Sequence, residues 1–238
     1  MERRISVFVI LMVLWTGSAQ GQLLPLLDQY HMNGLAINPA YAGSQEALSV
    51  GLYARNQWVG FEGAPKTFTL SVHSPMRNRK VNLGILILAD RLGSKQENGF
   101  LLNYAYRMDL GKGKLSLGLA AGATNLSFNL NAIRYSDPGD PYLQDPGRSA
   151  FLPAFSIGGY YYTDDFYAGF SMPLLTSHRL DQASGGYRVS FNPASSNYVL
   201  NAGYVFHLSD NIDLLPAFLF KTNPMVSTQL DLMCSVMF

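Results

Sequence analysis

Hydrophobic and polar residues alternate with a period of two along most of this chain, the pattern of β-strands with two unlike faces. From Phe68 to Ser74, Phe68, Leu70 and Val72 alternate with Thr69, Ser71 and His73. From Phe100 to Met108, Phe100, Leu102, Tyr104, Tyr106 and Met108 share one face, and Asn103, Ala105 and Arg107 share the other. Leu115, Leu117 and Leu119 alternate with Ser116, Gly118 and Ala120, and Tyr198, Leu200, Ala202, Tyr204 and Phe206 alternate with Asn197, Asn201, Gly203 and His207. Ile212, Leu214, Phe218 and Phe220 oppose Asp213, Ala217 and Lys221; at the end, Leu230, Leu232, Cys234, Val236 and Phe238 oppose Gln229, Asp231, Met233, Ser235 and Met237. Less regular strands are read at Ala47–Trp58, Val81–Asp90, Leu126–Leu130, Pro153–Tyr162 and Phe166–Met172. About ten or eleven strands are expected, and no long amphipathic helix.

Two observations decide which solvent each face meets. The face opposite the apolar one is built from Gly, Ala, Ser, Asn and single charges, whereas a water-exposed sheet face is rich in Lys and Glu. The apolar face of the clear segments carries no charge, as lipid contact demands, because Lys or Arg at the bilayer midplane costs about 2–4 kcal/mol. Segments of roughly 9–11 residues also match a tilted membrane-crossing strand.

The amino terminus agrees. Arg3 and Arg4 precede an apolar run from Ile5 to Trp15, and Gly17, Ser18 and Ala19 follow, the order of a secretory signal peptide with cleavage after Ala19, or after Gly21 as second choice. No Cys at that point offers a lipid anchor. The expected organisation is a signal peptide over 1–19, a periplasmic N-terminal segment or plug over 20–46, and an antiparallel outer-membrane β-barrel over 47–238. The plug reading rests on Gln29–Gly43, which is too apolar for a free tail and carries turn signals at Asn38-Pro39 and Ala42-Gly43.

Composition narrows the function. Of 238 residues only 14% are charged, 17 basic against 16 acidic, with 48% hydrophobic. An ordinary soluble domain carries about 25% charge. With no basic excess to neutralise phosphates, nucleic acid is not an expected partner. A single Cys excludes a disulfide scaffold.

Candidate chemistry is sparse. His31, His73, His178 and His207 have no zinc spacing, and there is no P-loop or dinucleotide fingerprint, so no metal and no cofactor is expected. Asp137, Asp140 and Asp145, interleaved with two Asp-Pro-Gly triplets, read as turn chemistry rather than a calcium loop. His73 and Ser74 point to opposite strand faces and make no nucleophilic pair. Arg107, Asp213 and Lys221 fall on the lumen face, as solvated lining or as a selectivity ring, the former being favoured. Trp58 is expected at the end of the first strand, at a membrane interface. Asp109–Gly113 and Leu208–Asn211 read as short turns, Asn131–Ser149 and Ser177–Gly186 as longer polar loops.

Two blocks carry a resemblance. INPAYAGS, from Ile37 to Ser44, and RNQWVGFEGAPKTFTLSVHSP, from Arg55 to Pro75, closely resemble the PorP/SprF family of outer-membrane proteins of the type IX secretion system and gliding machinery. The resemblance continues more loosely through the strands from Val81 to Asp231, including the turn at Leu110–Lys114. It implies a β-barrel without enzymatic activity in the outer membrane of a Gram-negative bacterium. Such a barrel works with a periplasmic ring of lipoprotein and associated secretion subunits, and helps export or surface-attach large adhesins. No catalytic residue is carried over. The matching positions Asn38, Pro39, Ala40, Tyr41, Ala42, Gly43, Arg55, Gln57, Trp58, Gly60 and Pro65 are candidate partner contacts. Family members continue for several strands beyond the position of Gln229–Leu232, so an incomplete barrel is expected; a genuine end at Phe238, an aromatic of the kind that terminates outer-membrane strands, is the other reading. A general outer-membrane channel or hydrophobic-solute transporter stays open as an alternative function, with a lipid hydrolase and a soluble periplasmic sandwich behind it.

Overall fold

The computed structural model describes residues 33–129, 149–173, 175–181, 186–191, 196–209, 211–224 and 227–237. They form an antiparallel β protein: β1 (Ser49–Asn56), β2 (Lys66–Pro75), β3 (Val81–Leu92), β4 (Lys95–Leu110), β5 (Gly113–Phe128), β6 (Ser149–Tyr162), β7 (Phe166–Met172), β8 (Thr176–Asp181), β9 (Gly186–Phe191), β10 (Tyr198–Tyr204), β11 (Phe206–Ser209), β12 (Ile212–Asn223) and β13 (Ser227–Met237). Eleven of these strands make one sheet in the order β1 to β7, β10, β12, with β11 and β13 both on β12; β8 and β9 make a separate hairpin. β10 and β11 are one strand position broken at Val205, since both pair with the same side of β12. The sheet is open: among the described residues no ladder joins β1 to β13.

The faces follow the alternation. Leu102 is 56% exposed on the outer face while its neighbour Asn103 is 4% exposed on the inner one. Phe68, Leu83, Ile85, Ile87, Phe100, Leu117, Leu119, Phe155, Phe170 and Leu200 all stand outward and exposed. The buried strand positions include many small or polar ones, Thr69, Ser71, His73, Asn82, Asn103, Ala105, Ser116, Ala120, Ser156 and Ser171, beside a few larger apolar residues such as Leu86, Val199 and Leu219. This is the reverse of a water-soluble protein, in which large apolar side chains go inside. It matches a sheet whose outer face meets lipid.

Several readings are corrected. Leu126–Leu130 is no separate strand: β5 continues from Gly113 to Phe128, paired throughout with the equally long β4. Of Ser177–Gly186, expected as a loop, residues 177–181 belong to β8 and Gly186 to β9, which pair antiparallel, and residues 182–185 lie outside the described residues. β8, Thr-Ser-His-Arg-Leu-Asp, lacks the apolar alternation that marks the others. Trp58 does not end β1, which stops at Asn56. Residues 130–148, with Asp137, Asp140 and Asp145, lie outside the described residues, as do the expected signal peptide and His31.

Strand direction sorts the connections into two ends. The turns at 76–80, 111–112 and 163–165 lie at the end where β1 begins, as do the last residue of β11 and the first of β12. The 57–65 connection and the tight turn at 93–94 lie at the opposite end, where β5 also ends and β6 begins, and where β7 ends and β10 begins. The longest stretches of sequence between strands of the large sheet therefore join strand ends at one end, and short turns dominate the other.

Candidate functional site: an N-terminal turn seated in the concave face

Residues 33–46 precede β1 and contain two single 3₁₀ turns, Gly34–Ala36 and Pro39–Tyr41. Asn38 caps the second: its Oδ1 accepts the Ala40 N–H at 2.9 Å, and Pro39 occupies the first helical position, where no N–H is required. So short a helix has little stability alone. It is held by what surrounds it.

The segment lies against the concave face of the sheet. Leu35 and Ala42 pack with Leu86 of β3 and Ala105 of β4. Ile37 packs with Val199 of β10 and Leu219 of β12. The Ser171 hydroxyl of β7 donates to the Ile37 carbonyl at 2.5 Å. Asn38 Nδ2 donates to the carbonyls of Gly159 on β6, at 2.9 Å, and Phe170 on β7, at 3.4 Å. The Tyr41 ring meets His73 of β2 and Tyr160 of β6 edge-on. Nine residues with a 3₁₀ rise reach about 18 Å, yet the eight neighbouring strand positions from β2 to β12 would spread over about 34 Å if flat. The sheet must therefore curl around the segment.

Glycines make the approach possible. A Cβ on Gly118 of β5 would stand 2.2 Å from the Ala40 nitrogen, and one on Gly158 of β6 would stand 2.2 Å from Asn38 Oδ1. Gly43 has φ +72, and a Cβ there would press on Asn82 Oδ1. The Gly43 N–H donates to His73 Nδ1 at 3.1 Å, so the neutral His73 ring carries its proton on Nε2. Asn82 is fully buried; its Nδ2 donates to the Ala105 carbonyl at 3.3 Å.

A charged clamp holds the exit. Arg107, 5% exposed, donates through Nε to the Arg79 carbonyl at 2.9 Å and through Nη1 to the Tyr162 hydroxyl at 2.9 Å and the Gly43 carbonyl at 3.3 Å. Its Nη1 also lies 3.5 Å from Glu46 Oε1, which accepts from Lys114 Nζ as well. The Lys114 hydrogen bond holds the Glu46 carboxyl below the usual carboxylate range.

The sequence-predicted residues thus separate. Asn38, Pro39, Ala40, Tyr41, Ala42 and Gly43 form the seated turn. Arg55, Gln57, Trp58, Gly60 and Pro65 lie at the far end of β1 and in the turn that follows, where the Gln57 N–H donates to the Pro65 carbonyl at 3.0 Å. There Trp58 is 69%, Val59 84% and Phe61 76% exposed. The two blocks meet at Gly43 and His73, since the second block continues into β2. Arg107 is not solvated lining, because the seated segment covers it. Arg107, Asp213 and Lys221 all hold inward register positions but form no ring. Arg107 and Asp213 sit near the short-turn end, with Asp213 bonded to His207 Nδ1 at 2.6 Å, and Lys221 sits towards the long-loop end. Above the segment lies a cavity of about 110 Å³, lined chiefly by apolar groups such as Leu35, Ile37, Leu86 and Val199. Among the described residues no cluster of His, Cys, Asp and Glu is placed to hold a metal.

Sequence reasoning missed the receiving side. Gly118, Gly158 and Gly169 occupy inward strand positions beneath the turn, and a glycine inside a strand is a known sign of close backbone approach.

An apolar-out, polar-in antiparallel sheet with its own N-terminal turn packed inside defines a β-sheet membrane protein. The family described as Type IX secretion system membrane protein PorP/SprF matches residues 19–238, and the chain belongs to it. It is therefore a membrane component of the type IX secretion system, associated with other subunits of that system. Comparison with curated proteins found no match, and comparison with solved structures found none.

Proposed function

We propose that this protein acts in the outer membrane as a non-enzymatic component of the type IX machinery that helps export or surface-attach large adhesins, as in gliding. It reaches the periplasm by a signal peptide cleaved after Ala19. The short-turn end faces the periplasm and docks the ring lipoprotein and associated subunits, while the long connections face outward. Residues 33–46 act as a plug.

The observation that carries this reading is the seating of the INPAYAG turn inside the sheet. Its side chains and backbone are spent on internal bonds, which builds a filled body rather than a solute path. That filling weighs against the alternative of a general channel or hydrophobic-solute transporter. The exit of the segment, with Glu46 and Lys114, opens on a depression of about 540 Å³ at the short-turn end, lined also by Asp109, Lys112, Tyr162 and Asp164. Its mixed charges suit a polar protein partner.

The test is a deletion strain with complementation, coupled to pull-down of tagged protein from detergent-solubilised outer membrane. Loss of surface adhesin together with recovery of ring subunits is the expected result. Normal adhesin export, with ohmic conductance from the purified protein in planar bilayers, supports the channel instead.

A further inference from the structure

Four outward positions on adjacent strands stand level at the end of the sheet where β1 stops: Asn56 of β1, Lys66 of β2, Arg91 of β3 and Gln96 of β4, each the ladder partner of the next. We propose that this row binds the phosphate of a phosphorylated lipid, whose acyl chains lie on the apolar surface directly beneath it.

The row is made of donors. Lys66 and Arg91 oppose each other on one face, and like charges directly across a ladder repel. Neither makes an ion pair among the described residues, and Glu62 in the adjoining turn pairs with neither. No acidic residue faces outward on β1 to β4. The carboxylates nearest in sequence turn to the inner face, where Asp90 Oδ1 accepts the Thr67 hydroxyl at 2.5 Å and Glu97 pairs with Lys95 at 2.9 Å. Asn56 and Gln96 add an amide donor at each end of the row. An anion set between the two cations relieves their repulsion and takes several charge-assisted hydrogen bonds at once, which suits the clustered oxygens of a phosphate.

The height is that of a headgroup. On β3 the outward residues Val81, Leu83, Ile85, Ile87 and Ala89 are all apolar, and Arg91 follows. Val81 to Arg91 covers about 33 Å along the strand, which at a tilt of about 40° is about 25 Å across the membrane, the height of the apolar band of a membrane barrel. Arg91 and the rest of its row therefore stand at the margin of that band.

The surface below receives the chains. One step down the ladders Ala54, Phe68 and Ala89 stand level, and the two alanines beside Phe68 leave a hollow of about 420 Å³ that reaches up to the row. Leu52, Leu70 and Ile87 continue the apolar surface another step down. A free anion gains nothing from that surface, so the arrangement favours a lipid over inorganic phosphate. The proposal rests on the membrane setting of the sheet and not on the secretion role, so either can fail without the other.

The full chain is folded in uncharged dodecyl maltoside micelles, and lipid retention is read by native mass spectrometry. Phosphatidic acid is the probe, with diacylglycerol of the same chains and inorganic phosphate as the other arms. Wild type is expected to hold phosphatidic acid about tenfold more tightly than diacylglycerol, and Lys66→Gln with Arg91→Gln should remove that preference. Lys66→Gln alone, a milder change, should remove part of it. Arg77→Gln with Lys80→Gln takes two exposed cations from the opposite end and should leave the preference intact. Circular dichroism of each sample confirms the sheet. Equal preference in wild type and the Lys66 and Arg91 variants, or an equal loss in the Arg77 and Lys80 variant, overturns the site. Displacement of phosphatidic acid by an equal concentration of inorganic phosphate overturns the lipid as its occupant.

Discussion

Asn38 donates its side-chain amide to the carbonyl of Gly159, 121 positions away, at 2.9 Å, while its oxygen accepts the Ala40 N–H at the same distance. One side chain thus shapes the turn and fixes it to the sheet. Asn38→Ala removes a cap and leaves a strand carbonyl without its donor, a loss of about 1–2 kcal/mol. The urea midpoint in detergent micelles should fall, and protease cleavage near Tyr41 should rise before the sheet itself unfolds. Asn38→Asp should be worse, because it replaces the amide donor with a carboxylate facing a carbonyl. An unchanged cleavage rate would show that the turn is held without Asn38.

Adjacent glycines on β5 and β6 give a controlled comparison. A methyl group on Gly118 would stand 2.2 Å from the Ala40 backbone nitrogen, whereas one on Gly159 meets nothing nearer than Leu117 Cδ2 at 3.7 Å. Backbone cannot swing aside as a side chain can, so Gly118→Ala should lose about 1–3 kcal/mol by overpacking. Gly159→Ala should be close to neutral. Urea unfolding of the two variants, side by side, checks the seating of the turn; equal midpoints would count against it.

The difference between those glycines marks what the sequence made legible. Inward and outward positions were readable because each depends only on the parity of a residue in its strand: Leu102 out, Asn103 in. The seat was not, because Gly118 meets Ala40 across 78 positions and no local pattern encodes that approach. The β8–β9 hairpin was not read: Ser177–Gly186 was expected as a loop because β8 lacks apolar alternation, and the alternation of Tyr187, Val189 and Phe191 in β9 has no matching signal beside it. Parity sets Arg107 on the face opposite Leu102 but does not say that residues 33–46 will cover it.

Arg107 ties three chain segments by accepting none and donating to all: Arg79 in the β2–β3 turn, Gly43 in the seated segment and Tyr162 at the end of β6. Arg107→Met keeps the stem and removes the donors, stranding buried oxygens, at a cost of about 2–3 kcal/mol. Arg107→Lys should recover only part, since one ammonium cannot reproduce the guanidinium fork. Hydrogen exchange should show faster exchange at Gly43–Glu46 in Arg107→Met, with the amides of β5 little changed. Equal protection in wild type and variant would refute the clamp.

The last link at this exit is sensitive to acid. Glu46 follows the seated turn, with φ +57, and its carboxylate takes the Lys114 ammonium, with Arg107 beside it. The Lys114 hydrogen bond lowers the Glu46 pKa in the folded protein below its unfolded value. The folded state therefore holds fewer protons there, and the contribution to stability is full above the ordinary carboxylate range and disappears as the pH falls through the depressed value. Protease protection of residues 33–46 should be flat from neutral pH down to that range and fall below it. Glu46→Gln should give reduced protection that no longer varies over the same interval. Lys114→Met should move the loss to higher pH, because the dominant stabiliser of the carboxylate is gone. Both partners are partly exposed, so raising the salt concentration should shrink the wild-type effect, which a purely steric latch would not show.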